Sequence, residues 1–233
     1  MNMAAISSPE QWTDADVWAV FLDILEREGP LPGMADAVRP YERAFNDVVA
    51  QVRSEHRCLA NRYFRTDDKR GIVDPINIEH LTRLLHYFNQ QLVALQAPER
   101  LLDCLFYVLK GRCHINLFYR QKLPDFFFAL HAIGAVLGYG EYGRFLIVHQ
   151  GSTIGESHGR YPMLGDGVVV GPHAMVLGNC RIGRNVWIAA GALVIDTDIP
   201  DNSIVIGRKP NLEIRPNPRD NRSAWFDMDM LAA

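Results

Sequence analysis

Cysteine is scarce and scattered in this chain: Cys58, Cys104, Cys113 and Cys180 are the only four, with no CxxC pair and no framework spacing. Such usage argues against a disulfide scaffold and fits a reducing compartment, so a cytoplasmic protein is expected. Long apolar runs are missing as well. The longest, such as 126–130 and 168–170, fall far short of the ~20 residues a membrane helix needs. The opening MNMAAISSPE has no basic segment followed by an apolar one, so no secretory signal is read there. Charge of either sign is not in excess: 24 basic and 27 acidic residues leave a net charge of −3. Without a Lys/Arg run, that balance offers no electrostatic case for nucleic acid or for a membrane surface. At 233 residues and 48% hydrophobic, the chain is long enough for one large core or two smaller ones.

What is present is a repeat. Over 164–199 the sequence reads LGDGVV VGPHAM VLGNCR IGRNVW IAAGAL VIDTDI, and each block opens on an aliphatic residue: Leu164, Val170, Val176, Ile182, Ile188 and Val194. Small or β-branched residues follow four places later, at Val168, Ala174, Cys180, Val186 and Ala192. A period of six fits neither a helix nor a simple alternating strand. It predicts a parallel β-helix, in which short strands joined by turns stack coil on coil around the repeated aliphatic residues. The same phase is read upstream at Leu130, Val136, Tyr142, Val148 and Ile154. Ile154 to Leu164 is a step of ten, six plus four, so a four-residue loop over 157–160 is expected to bulge from one corner.

The first half reads differently. Thr13 or Asp14 can cap a helix with Val17, Val20, Phe21, Ile24 and Leu25 on one face, ended by Gly29-Pro30. A second pattern runs from Tyr41 through Phe45, Val48, Val49 and Val52 to Leu59 and Tyr63. A third, from about Asp74, carries Ile78, Leu81, Leu85, Phe88, Leu92 and Leu95, and a fourth follows Pro98. These stripes predict a helical core or subunit contact, and His56, His80 and His86 are expected to be solvent-facing or internally satisfied. The fold class is therefore α+β: an α-helical oligomerisation or cap domain over 1–112, a β-helix over 113–214, and a flexible tail over 215–233.

Stacking in a β-helix places residues one coil apart above one another at about 4.8 Å. His131 and His149 are eighteen apart, so two imidazoles are expected in one column, close enough to influence each other's charge. The insertion, with His158, Arg160 and Tyr161, leaves the prism shortly afterwards and can fold over that face or a neighbour's.

The segment 130–138, Leu-His-Ala-Ile-Gly-Ala-Val-Leu-Gly, resembles the Asp-His-x-x-Gly-x-Val-Ile-Gly of serine acetyltransferases and their hexapeptide-repeat relatives. Gln150-Gly151-Ser152-Thr153-Ile154-Gly155 and Arg160-Tyr161-Pro162 resemble that family's Gln-x-Val-Thr-Leu-Gly and Arg-His-Pro loop. Val176-Leu177-Gly178-Asn179 and Ile206-Gly207-Arg208-Lys209-Pro210 match its later coils and exit. The resemblance covers about 124–212. It implies a left-handed β-helix, a homotrimer or a dimer of trimers, and acetyl-CoA bound in the groove between adjacent prisms as co-substrate, with no metal. His131 is the implied general base toward the hydroxyl of a small acceptor, with Asn116 at the place of an earlier family aspartate; His149 joins these two as a candidate through its stacking with His131. Arg160, Tyr161 and His158 are the implied acceptor-binding residues. Gly155, Pro172 and Ala190 are carried over as the coenzyme A track, and Arg208 and Lys209 as phosphate partners.

Three departures bear on the acceptor. Leu130 stands where the family has an aspartate before the histidine, Asn116 where it has another aspartate fifteen residues earlier, and Tyr161 where its loop has histidine. They weaken the expectation of free serine and leave a serine-like amino acid, a sugar or a related small metabolite open as the acceptor. Two other readings stand beside the enzyme: an inactive β-helix scaffold, and a γ-carbonic-anhydrase-like zinc protein using His149, His158 and His173.

Overall fold

The two kinds of periodicity fold into two units. The computed structural model describes residues 8–232. Residues 8–113 with 225–232 form one unit, and His114–Ala224 the other. No helix among the described residues is long and apolar enough to cross a membrane.

The first unit is helical: α1 (Asp14–Glu28), α2 (Met34–Val38), α3 (Glu42–His56), α4 (Ile78–Ala94) and α5 (Glu99–Cys113). Thr13 and Asp16 make a reciprocal capping box at the start of α1, and the Gly29 N–H closes its end on the Leu25 carbonyl. Trp18, Phe21, Phe45 and Phe88, from three helices, form one aromatic cluster, with the Phe21 and Phe45 ring centres 4.4 Å apart. The second helix is shorter than its apolar spacing predicts. It stops at His56, and Tyr63 is exposed, because 57–73 turns back on itself through a Thr66–Arg70 turn closed by the Arg65–Gly71 bridge.

The three histidines of this unit are buried, not solvent-facing. His56 Nδ1–H donates to the Ile72 carbonyl at 2.6 Å, and His80 Nδ1 accepts from the Asp74 N–H at 3.0 Å. The residues expected as a flexible tail also carry structure. Leu59 bridges Phe226, Asp227 receives Arg65 at 2.9 Å and Lys69 at 3.0 Å, and α6 (Met228–Ala232) closes the segment.

The second unit is a left-handed parallel β-helix of about 5 turns. One face stacks β1 (Asn116–Leu117), β3 (Val136–Leu137), β6 (Thr153–Gly155), β9 (Met175–Leu177) and β12 (Leu193–Ile195). A second stacks β2 (Phe128–Ala129), β5 (Ile147–Val148), β8 (Val169–Val170), β11 (Trp187–Ile188) and β13 (Ser203–Arg208). The third holds β4 (Glu141–Tyr142), β7 (Met163–Leu164) and β10 (Arg181–Ile182). An antiparallel strand, β14 (Asn211–Pro216), folds back on β13 and ends the prism.

The core follows the hexad. Val168, Val170, Ala174, Val176, Val186, Ile188 and Val194 are fully inside, and Leu164, Cys180, Ile182 and Ala192 nearly so. Upstream the phase differs from the expected one at two places: Ala129 and Leu137 point inward, while Leu130 and Val136 face out. The cause is an elongated corner. Between Ala129 and Leu137 the backbone turns twice through positive φ, at His131 (48°) and Gly134 (75°), where later coils turn once.

Candidate active site

That elongated corner, where the chain passes from the second face to the first, gathers histidines. Its positive-φ residues in successive coils are His114, then His131 with Gly134, then Gly151, His173 and Gly191. Coil is joined to coil there by the N–H of Gly134 on His114 O (2.8 Å), Gly151 on Ile133 O (2.9 Å), His173 on Gln150 O (2.9 Å) and Gly191 on Pro172 O (2.8 Å). A Cβ built on Gly151 would lie 2.3 Å from His173 Nδ1, so the His173 ring rests against bare backbone that only glycine leaves open.

His131 is exposed and sits on this corner. The expected column of His131 over His149 is displaced by one place. Ala129 pairs with Val148, nineteen residues on, so His149 falls beneath Leu130 and His131 lies one residue beyond. The charge of His131 nevertheless reaches His149. His149 is half-buried, and burial is the main reason its pKa falls; the charge of His131 adds to the fall, while the hydrogen bond to Val170 opposes it. His149 Nδ1 lies 3.1 Å from the Val170 carbonyl oxygen. A carbonyl can only accept, so Nδ1 carries the proton and Nε2 the lone pair. Asn116 lies in the outermost strand of the first face, paired with Val136, its N–H on the Ala135 carbonyl at 2.9 Å.

The insertion is where the ten-residue step placed it. Ile154 pairs with Val176, twenty-two residues on, against eighteen from Val176 to Val194. The four extra residues make a tight hairpin: Ser157 and Arg160 exchange N–H to carbonyl bonds of 3.0 and 3.1 Å around His158 (φ 51°) and Gly159 (φ 74°). Both central residues have positive φ, as in a type I′ two-residue hairpin turn. His158, Arg160 and Tyr161 are exposed. Tyr161 meets the edge of Tyr139 with ring centres 6.1 Å apart, and Tyr139 meets Phe118 at 6.3 Å. Tyr139 was not singled out from the sequence, but counting the insertion finds it. Glu141 pairs with Met163, twenty-two residues on, and the same interval carries Tyr139 to Tyr161.

The structure splits the expected coenzyme A track between two edges of the first face. Pro172 and Ala190 lie on the histidine corner, and Arg208 Nη1 reaches Gly191 O there at 3.1 Å. Gly155 lies at the far end of β6, where its carbonyl receives the Gly178 N–H at 3.0 Å. Lys209 Nζ is on that same edge, 2.6 Å from Thr197 Oγ1. A Cβ built on Gly155 would meet no atom within 4 Å. His149, His158 and His173 are not gathered, and among the described residues no three His, Cys, Asp or Glu are grouped to hold a metal ion.

The prism and its hexads define a hexapeptide-repeat β-helix, and residues 161–196 match the family profile described as bacterial transferase hexapeptide (six repeats). Within that class the chain is similar to serine acetyltransferases. It is 36% identical to the serine acetyltransferase of Synechococcus elongatus over 130 residues, which are 54% of this chain and 51% of that one. It is 34% identical to that of Bacillus pumilus over 101 residues, 41% and 46% of the two chains. The chain thus spans about half the length of the curated relatives it matches. Among solved structures, serine acetyltransferase from Vibrio cholerae superposes with a TM-score of 0.72 at 19% identity, covering 93% of this chain and 84% of that one. Serine acetyltransferase from Brucella abortus in complex with coenzyme A superposes with a TM-score of 0.66 at 21% identity, covering 90% and 84%. The superpositions show a shared fold.

Proposed function

We propose that this chain is an acetyl-CoA-dependent O-acetyltransferase acting on the hydroxyl of a small acceptor, with His131 as general base. The observation that carries the reading is an exposed histidine on an elongated prism corner, within a segment resembling the family's histidine motif. The relatives' names point to the same chemistry, and a Brucella abortus neighbour is solved with coenzyme A. His131 takes the acceptor's hydroxyl proton as the oxygen attacks the thioester carbonyl. The tetrahedral intermediate is held by backbone N–H donors in the groove or from the insertion loop, then collapses to ester and coenzyme A thiolate, which recovers the proton from the imidazolium.

The two-edged distribution of the coenzyme A residues favours a groove shared between chains. Pro172, Ala190 and Arg208 of one prism would face Gly155 and Lys209 of the next, as in a homotrimer, while Arg160, Tyr161 and His158 reach over from the insertion. The acceptor is a neutral hydroxyl compound, such as a sugar, in preference to free serine. Leu130, Asn116 and Tyr161 remove the two carboxylates and the loop histidine that an amino acid would meet in the family. The protein works in the cytoplasm. The test is release of coenzyme A from acetyl-CoA with a panel of alcohols, in wild type and His131→Ala. Loss of on the order of 10²–10⁴ in rate, with an unchanged melting temperature, is expected for a lost base.

A further inference from the structure

Resting on that reading of His131, we propose that His149 is its positioning residue: the Nε2 lone pair of His149 accepts an N–H of the His131 ring and so fixes which His131 nitrogen is the base. A histidine acting as base through one nitrogen must carry its proton on the other, and that N–H needs an acceptor to hold the tautomer. In this chain the residue before His131 is Leu130 and the residue at the start of the first face is Asn116, so neither position supplies a carboxylate.

His149 has what the role requires. It lies in the coil next to His131, beneath Leu130, because Phe128 and Ala129 pair with Ile147 and Val148. Its ring is fixed by the Nδ1–H donated to Val170 O at 3.1 Å, which commits Nε2 to be an acceptor. Half-burial keeps the ring neutral, and among charged groups it is His131 that acts on it. When His131 becomes an imidazolium during attack, the same N–H···N bond spreads the charge. The proton taken from the acceptor hydroxyl stays on His131 until coenzyme A leaves.

The test uses the full chain labelled with ¹⁵N-histidine and reads the His131 tautomer from long-range ¹H–¹⁵N correlations. In wild type a single His131 tautomer is expected. His149→Asn keeps a donor for Val170 O but has no acceptor at the place of Nε2, so a mixture of tautomers is expected. In that variant kcat should fall by about 10–100-fold, the loss typical of removing a hydrogen-bonded partner that orients a functional imidazole, with KM nearly unchanged. An unchanged His131 tautomer in His149→Asn overturns the proposal, as does a mixture appearing only in Asn116→Ala. The tautomer is read without turnover, so failure of the base assignment, scored by His131→Ala activity, registers separately.

Discussion

Burial of imidazole in the helical unit sets a direction for acid stability. His56 is fully buried, and desolvation brings its pKa down from 6.5 to about 4; the Ile72 hydrogen bond opposes this and Arg53 adds to it. His80 is lowered well below its ordinary value for the same main reason, with His56 contributing. Between the two limits the unfolded chain binds protons that the folded chain refuses. Stability is therefore full above the unfolded pKa of 6.5 and falls as pH drops toward 4. The loss from His56 is on the order of 3 kcal/mol. Urea unfolding of the wild-type chain at pH 7 and pH 4.5 should show the midpoint falling, and a flat profile across that window would count against neutral buried histidines. Asp227 acts elsewhere: Arg65 and Lys69 hold its pKa down from 3.8 to about 2, so its contribution is lost only below that window. Sequence alone did not decide between the solvent-facing and the internally satisfied alternative for His56, His80 and His86, because a helical stripe shows which residues share a face but not that ten consecutive residues of α4, from His80 to Asn89, are all buried.

At the scale of elements, the hexad was readable because every sixth side chain enters the same core, and Leu164 to Val194 hold that phase without exception. It slipped upstream because a corner can absorb extra residues without altering the strands on either side. The motif that makes His131 a candidate is visible in the sequence, whereas the placing of His131 relative to His149 depended on two backbone turns that leave little mark beyond Gly134. Corners also carry bulky side chains where glycine would be expected. Phe126 and Phe145 both have positive φ, a conformation uncommon for bulky side chains; their rings stack at 4.9 Å, and Arg144 covers both. The insertion gives the clearest element-level prediction. Deleting 157–160 restores a six-residue step from Ile154 to Leu164, so the circular dichroism spectrum and melting of the prism should be kept while acyl transfer is lost. Retained turnover in the deletion would remove Arg160 and His158 from the acceptor site.

At the scale of the whole molecule, the outward side chains of the prism differ by face. The first face presents Val136, Met175, Leu177, Leu193 and Ile195 beside Asn116 and Thr153, whereas the third presents exposed Glu141, Arg181 and Asp198 beside Met163. The trimer proposed above would turn the mostly apolar first face inward and leave the mostly charged third face in water. Met175→Glu should then convert the assembly to a smaller species in sedimentation, with loss of activity, and an unchanged sedimentation coefficient would contradict a shared groove. The central claim is chemical, and the most direct measurement is coenzyme A release by the purified chain from acetyl-CoA with hydroxyl acceptors, beside His131→Ala. Acceptor-dependent release in wild type that disappears in the variant, at equal melting temperature, is the predicted result. Equal release by both proteins, or none by wild type with any acceptor while coenzyme A fails to raise its melting temperature, would contradict it.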